Sequence, residues 1–343
     1  MSQHSTMIPA VSAGAYDAAR HRAAFLDRSA RGRIVVSGAD RASYLQGLLT
    51  NDIAALTAGT GCYAAYLTAQ GRMMADLWVY ELGDVILLAM EGAVKDTVLT
   101  RLDQFIFSED VHLGDVTEAF GEVAIVGPNA ASIVAEVVPD VSIAALTMMR
   151  EHDNVRAPRG GQPVIVVRVL DVGEPGFALY AEREVVTSIV ADLRRAGVVE
   201  LDEATADAIR IESGTPRFGR DMNDDTIPLE AGIESRAISF TKGCYIGQEV
   251  IIRVLHRGHG RVARRLVGLR IEGSIVPPSG ATVQSGEREV GHVTSAAWSP
   301  VLKQPIALAY LQRDFVTAGT TVAIDDRTAE VVSIPFVDGS RVP

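Results

Sequence analysis

Cys244 stands in the run Lys242-Gly243-Cys244-Tyr245-Ile246-Gly247-Gln248-Glu249, framed by two glycines and followed by Val250 to Leu255, whose apolar spacing predicts a helix. Glycine admits backbone shapes closed to other residues, and Gly247 is an acceptable N-cap, so the spacing predicts a thiol just ahead of a helix N-terminus. Positive potential from that terminus and from Lys242 favours the thiolate, the condition for a nucleophilic or redox-active cysteine near neutral pH. The same spacing suits a cysteine that only fills a tight turn, and spacing does not separate the two. Cys62 is the other cysteine and reads as a small buried hydrophobe. Two cysteines without CxxC spacing build neither a disulfide framework nor a four-cysteine zinc site, which fits a reducing cytoplasm.

A basic cluster follows: Arg253, His256, Arg257, His259, Arg261, Arg264 and Arg265 fall within thirteen positions. It suits an anionic ligand tail, an RNA backbone or an acidic partner, and equally an interdomain face of salt bridges. His256 and His259 lack a further cysteine or histidine nearby, so no metal site is assigned. Gly258 to Ala263 matches G-x-G-x-x-A but precedes β structure, which rejects a dinucleotide loop.

The elements that must hold these residues are legible from periodicity. Ile34 to Val36 reads as a strand and leads, past Asp40 as N-cap, into a helix carrying Leu45, Leu48 and Leu49 on one face. Strands follow at Tyr63 to Thr68, Arg72 to Leu82 and Val85 to Met90, then a helix through Val94, Val98 and Leu102, then strands near Val111 and at Val123 to Val126. A second round begins near Pro163, with strands to Leu170 and at Phe177 to Ala181 and helices at Glu184 to Ala196 and Leu201 to Ser213. Hairpins interrupt the alternation, so the order predicts α+β structure from split β-α-β units of the ferredoxin-like kind. After Arg265, short strands between Gly, Pro and Asp turns predict a small β-barrel. The expected division is residues 1–130, 131–260 and 261–343.

A chain of 343 residues, 48% apolar and 22% charged, is globular and long enough for two or three domains. A formal charge of −11 argues against a surface built to coat nucleic acid. The first twenty residues have neither the basic nor the apolar region of a secretion signal and read as a frayed start. No apolar run approaches the roughly twenty residues a membrane helix needs.

KGCYIGQE resembles the signature of YgfZ-type proteins, which are similar to the glycine-cleavage T-protein, an aminomethyltransferase. GADRASYLQGLLTNDI from Gly38, the stretch from Gly61 to Tyr80, RIESGTPRFG from Arg210 and IPLEAGI from Ile227 follow the same superfamily pattern in order. The resemblance implies three subdomains in a ring around a central site for tetrahydrofolate or a derivative. It implies Glu212, Tyr63, Asp76 and Gln248 as folate-binding residues, and Cys244, Lys242 and Asp76 as catalytic ones. A carboxylate such as Glu212 accepts both N–H groups of a pterin's 2-amino-4-oxo edge, and Tyr63 stacks on an aromatic ring. Without the resemblance, Glu212 reads as a solvated acid and Tyr63 as a half-buried strand tyrosine. One departure matters: aminomethyl-transferring relatives carry two adjacent aspartates where this chain has Ala75-Asp76, and Gly71-Arg72 replaces their paired glycines.

The leading expectation is therefore a cytoplasmic, folate-binding accessory protein that supports the assembly or repair of iron–sulfur enzymes, including RNA-modifying ones, through Cys244. Two alternatives stand beside it. One is a tetrahydrofolate-dependent aminomethyl- or methyltransferase, and the other an adaptor that binds protein or RNA through the Arg253–Arg265 cluster.

Overall fold

The computed structural model describes residues 11–170, 172–256 and 261–337. The chain enters through α1 (Ala13–His21), capped by Ser12, and β1 (Ala24–Asp27). Small residues at helical spacing, Ala15, Ala18 and Ala19, let α1 lie flat on the core beside Tyr16, so residues 13–20 of the start expected to fray belong to a helix with a buried face, while residues 1–10 lie outside the described residues.

The first sheet is built from β2 (Gly32–Ser37), α2 (Arg41–Leu48), β3 (Thr60–Leu67), β4 (Met73–Glu81), β5 (Ile86–Met90), α3 (Lys95–Asp103) and β6 (His112–Asp115). Its strand order is β3-β4-β5-β2-β6, and every pair is antiparallel. Alternation divides its two faces. Ile34, Ala64, Tyr66, Ala75, Leu77 and Leu88 pack beneath α2 and α3, whereas Tyr63, Ala65, Trp78, Tyr80 and Ala89 face the rest of the molecule.

The second sheet takes β7 (Phe120–Val126), α4 (Ala130–Val137), α5 (Ile143–Met148), β8 (Asn154–Arg159), β9 (Gln162–Val169), β10 (Gly176–Glu182), α6 (Arg183–Arg195) and β11 (Val199–Glu200). It also takes β1, in the order β11-β1-β7-β10-β9-β8. Val134, Leu146, Ile189 and Leu193 of its helices cover one face, and Ile165, Val167 and Tyr180 on the other meet the first sheet. The expected boundary at residue 130 is therefore displaced. The chain leaves the first sheet between β6 and β7, and β1 belongs to the second unit because its apolar residues complete that sheet.

Four helices follow: α7 (Glu203–Glu212), α8 (Pro228–Ala231), α9 (Glu234–Ala237) and α10 (Gln248–His256). The barrel then closes from β12 (Arg264–Ile271), β13 (Thr282–Ser285), β14 (Arg288–Ser299), β15 (Gln304–Gln312), β16 (Thr321–Ile324) and β17 (Arg327–Val332), with β12 paired to β17. α7 is the axle of this arrangement. Ala206 and Ile209 pack on α1 and the second sheet, and Ala208 and Ile211 pack on the barrel's Leu266, Ile306 and Tyr310. The class is α+β with a C-terminal closed barrel, as the sequence predicts. Among the described residues no helix is long and apolar enough to cross a membrane.

Candidate functional site

A cavity of about 420 Å³ lies where β1, the inward face of β3 and β4, α7 and the segments around Arg217 and Arg236 converge. Tyr63, Asp76 and Trp78 form one wall. Asp76 and Trp78 are two apart on β4, and Tyr63 pairs with Trp78 across the β3–β4 ladder, so strand alternation alone puts all three on one face. The Tyr63 hydroxyl donates to Asp76 Oδ2 at 2.7 Å, while Asp76 Oδ1 is buried without a hydrogen-bond partner. Buried polar atoms are almost always satisfied, so an orphaned carboxylate oxygen on a residue that lines a cavity marks a place suited to a donor or a cation. Asp76 is 2% exposed, and burial pushes its carboxyl up to about 6, against the opposing pull of the Tyr63 hydrogen bond. Glu91 adds to the rise and Arg31 counters it.

The second aspartate of the paired pattern would not have entered this wall. Ala75 points to the opposite face of β4, fully buried among the residues under α2 and α3. The carboxylate that faces the cavity is the one this chain keeps, so the departure at Ala75 subtracts nothing from the site.

Arginines line the mouth. Arg31 lies over the Trp78 ring at 4.5 Å, and Arg236 over the Tyr63 ring at 5.4 Å. Arg217 pairs with Glu91 at 2.9 Å. The arrangement combines flat aromatic walls, one buried acceptor and cations at the entrance, which suits a planar heterocycle carrying N–H donors and an anionic extension. Sequence reasoning missed Trp78, Arg31, Glu91, Arg217 and Arg236. Trp78 could have been found from its two-residue spacing to Asp76; the arginines come from separate segments and carry no local signal.

The remaining candidates lie elsewhere. Glu212 is fully buried at the end of α7 and is not among the cavity's lining residues. Its Oε2 accepts from the Tyr16 hydroxyl at 2.6 Å and pairs with Arg20, and its Oε1 accepts from Ser299 of the barrel. Arg20 also pairs with Glu174. Both oxygens of Glu212 are thus committed to joining α1, α7 and the barrel, and the geometry favours this clasp over the expected pterin contact.

Lys242, Cys244 and Gln248 also lie outside the cavity lining. The Lys242 ammonium donates to the carbonyls of Gln46, Leu49 and Asn51 at 2.7 Å each, closing the C-terminal end of α2 rather than facing the thiol. Burial pulls its ammonium down to about 8. Replacing Lys242 by methionine orphans those carbonyls and is expected to cost about 1–3 kcal/mol in urea unfolding; an unchanged midpoint would contradict the capping role. Cys244 is exposed, whereas burial pushes the Cys62 thiol up to about 12. Gly247, at φ 86°, directly precedes α10, and a Cβ there would meet the Thr68 carbonyl at 2.6 Å. The signature glycine therefore lets this loop lie against the β3–β4 turn.

Part of the basic cluster is spent between domains. Arg264 pairs with Glu230 at 3.1 Å and Arg265 with Glu234 at 3.3 Å, linking β12 to α8 and α9. Arg253 and His256 are exposed on α10, and Arg257 and His259 lie outside the described residues.

Residues 4–242 match the family profile described as the GCVT N-terminal domain, and residues 264–338 match the glycine cleavage T-protein C-terminal barrel domain. An aminomethyltransferase of Nostoc sp. is 30% identical over 340 residues, covering 95% of this chain and 88% of the relative. One from Geobacillus kaustophilus is 32% identical over 330 residues, covering 94% and 89%. The crystal structure of glycine cleavage system aminomethyltransferase T from Bartonella henselae shares the fold, with a TM-score of 0.85 at 21% identity over 97% of this chain and 92% of that one.

Proposed function

The chain belongs to the glycine cleavage T-protein family, and from that premise we propose that it is a tetrahydrofolate-dependent aminomethyl- or methyltransferase with Asp76 as its working carboxylate. The observation that carries this reading is the buried, unpartnered Oδ1 of Asp76 in an aromatic-walled cavity. The residues present fit a reduced folate: Tyr63 and Trp78 flank a flat ring, and Arg31, Arg217 and Arg236 suit an anionic tail. When bound, the folate supplies the nitrogen that receives the one-carbon unit. Asp76, ionised and buried in the cavity wall, stabilises positive charge as it develops on the reacting amine, and Tyr63 holds the carboxylate in place through its 2.7 Å hydrogen bond. The test is turnover of an aminomethylated or methylated amine with tetrahydrofolate, followed as methylene- or methyl-folate formed. Calorimetric binding of tetrahydrofolate without turnover of either donor class would refute the transferase.

One observation favours a second reading. Cys244 is exposed and apart from the cavity, in a KGCYIGQE signature that the transferase chemistry does not use. This supports the finer assignment to the YgfZ-type branch, a folate-binding accessory protein for iron–sulfur enzymes whose thiol serves a partner. Cys244→Ala is then expected to leave tetrahydrofolate binding intact while failing to restore iron–sulfur enzyme activity in a strain lacking the gene. Full rescue by that variant would remove the thiol from the function.

A further inference from the structure

Asp76 shares its cavity with the guanidinium of Arg31. Arg31, from the turn ahead of β2, lies over Trp78 at 4.5 Å, reaches Glu122 of β7 at 3.2 Å and stands 3.9 Å from Glu91. Its side chain is 16% exposed, so water screens it poorly. The groups facing Asp76 come from several packed elements. They are Tyr63 from β3, Glu91 beyond β5 and Arg31 ahead of β2, while Arg236 of α9 lies over the Tyr63 ring. Glu91 is in turn paired with Arg217. Glu91 and burial favour the neutral acid, and Arg31 favours the carboxylate. With Arg31 stacked on Trp78, Asp76 Oδ1 remains without a hydrogen-bond partner. The cation thus biases the carboxylate without occupying the oxygen that a ligand needs.

We propose that Arg31, braced against Trp78, is a positioning residue that sets the charge state of Asp76 and so the pH range in which the cavity takes up its ligand. The inference rests on Asp76 being the working carboxylate, and it assigns Trp78 a second duty, keeping the guanidinium from collapsing onto that carboxylate. Two substitutions must then act in opposite directions. Arg31→Gln removes the favourable charge and raises the Asp76 midpoint, whereas Trp78→Leu releases Arg31 toward Asp76 and lowers it.

The unfolding free energy of each protein, measured against pH and compared with the same protein carrying Asp76→Asn, isolates this one titration with no ligand present. The wild-type midpoint is expected near 6, about one unit higher in Arg31→Gln, close to wild type in Arg31→Lys, and lower in Trp78→Leu. At pH 6 a one-unit rise cuts the ionised fraction from about a half to about a tenth, so the loss of tetrahydrofolate affinity in Arg31→Gln should be roughly fivefold greater at pH 6 than at pH 8.5, where only the lost contact of Arg31 with the anionic tail remains. An unmoved midpoint in Arg31→Gln, or a raised one in Trp78→Leu, overturns the proposal. Midpoints that move as stated while tetrahydrofolate gives no heat of binding support the positioning role and refute the folate reading instead.

Discussion

Asparagine in place of Asp76 is expected to cut one-carbon transfer by roughly 10²- to 10³-fold, the loss typical when a preorganised electrostatic group is removed from a dry site. The same change should leave the protein more stable at neutral pH. Asp76 has a folded-state pKa near 6 against an ordinary value of 3.8. The folded state therefore holds its proton more tightly, and stability is lost as pH rises from about 4 through 6. Two pKa units at about 1.4 kcal/mol each put the cost of ionising this buried group near 3 kcal/mol at pH 7, which asparagine avoids while still accepting from Tyr63. Urea unfolding should show no gap between wild type and variant at pH 3.5, and a gap favouring the variant at pH 7.5. A variant that transfers at the wild-type rate, or that is equally destabilised at both pH values, would remove Asp76 from the role.

The largest stability effect is expected at Arg20, 4% exposed and paired with both Glu174 and Glu212. Arg20→Leu leaves two buried carboxylates facing one another with no cation. Breaking one side of a buried ion pair typically costs about 3–5 kcal/mol, because the abandoned charge is not resolvated. Burial already holds the Glu174 carboxyl above its ordinary range, with Arg20 opposing. In the variant that opposition is gone, so Glu174 takes up a proton more readily and part of the loss is recovered as pH falls. Glu212→Gln is expected to be much milder, since an amide oxygen still accepts from Tyr16 or Ser299. An Arg20→Leu penalty below about 1 kcal/mol would show that the clasp is not holding α1 to the barrel.

The sheets and the barrel were legible because their strands are short apolar runs cut by Gly, Pro and Asp turns; those from Tyr63 to Met90 read as nearly continuous runs because the first sheet is packed on both faces. β1 was not, because its four residues acquire a partner only when β7 and β11 are placed beside them. α1 was hidden by its alanines, which carry little hydrophobic signal yet permit the closest packing. Within the site, Tyr63 and Asp76 could be named from their segment, and the structure brings them together. Glu212 was misleading for a physical reason: its cationic partner is 192 residues away, so nothing nearby indicates that its charge is already neutralised. Lys242 was misread in the same way, since it sits near the thiol in sequence but its ammonium closes a helix whose last residues lie far earlier in the chain.

The placing of β1 governs the order in which the polypeptide can mature as it leaves the ribosome. Residues 32–115 form an uninterrupted sheet and can collapse as soon as they emerge. The strand made just before them must wait for β7 and then for Val199–Glu200 to be synthesised. Until then Phe25 and Leu26 remain uncovered, a transient sticky edge of the sort that chaperones recognise. Slowing translation between β7 and β11 should prolong that exposure, whereas the same delay after residue 260 falls when both sheets already have all their strands.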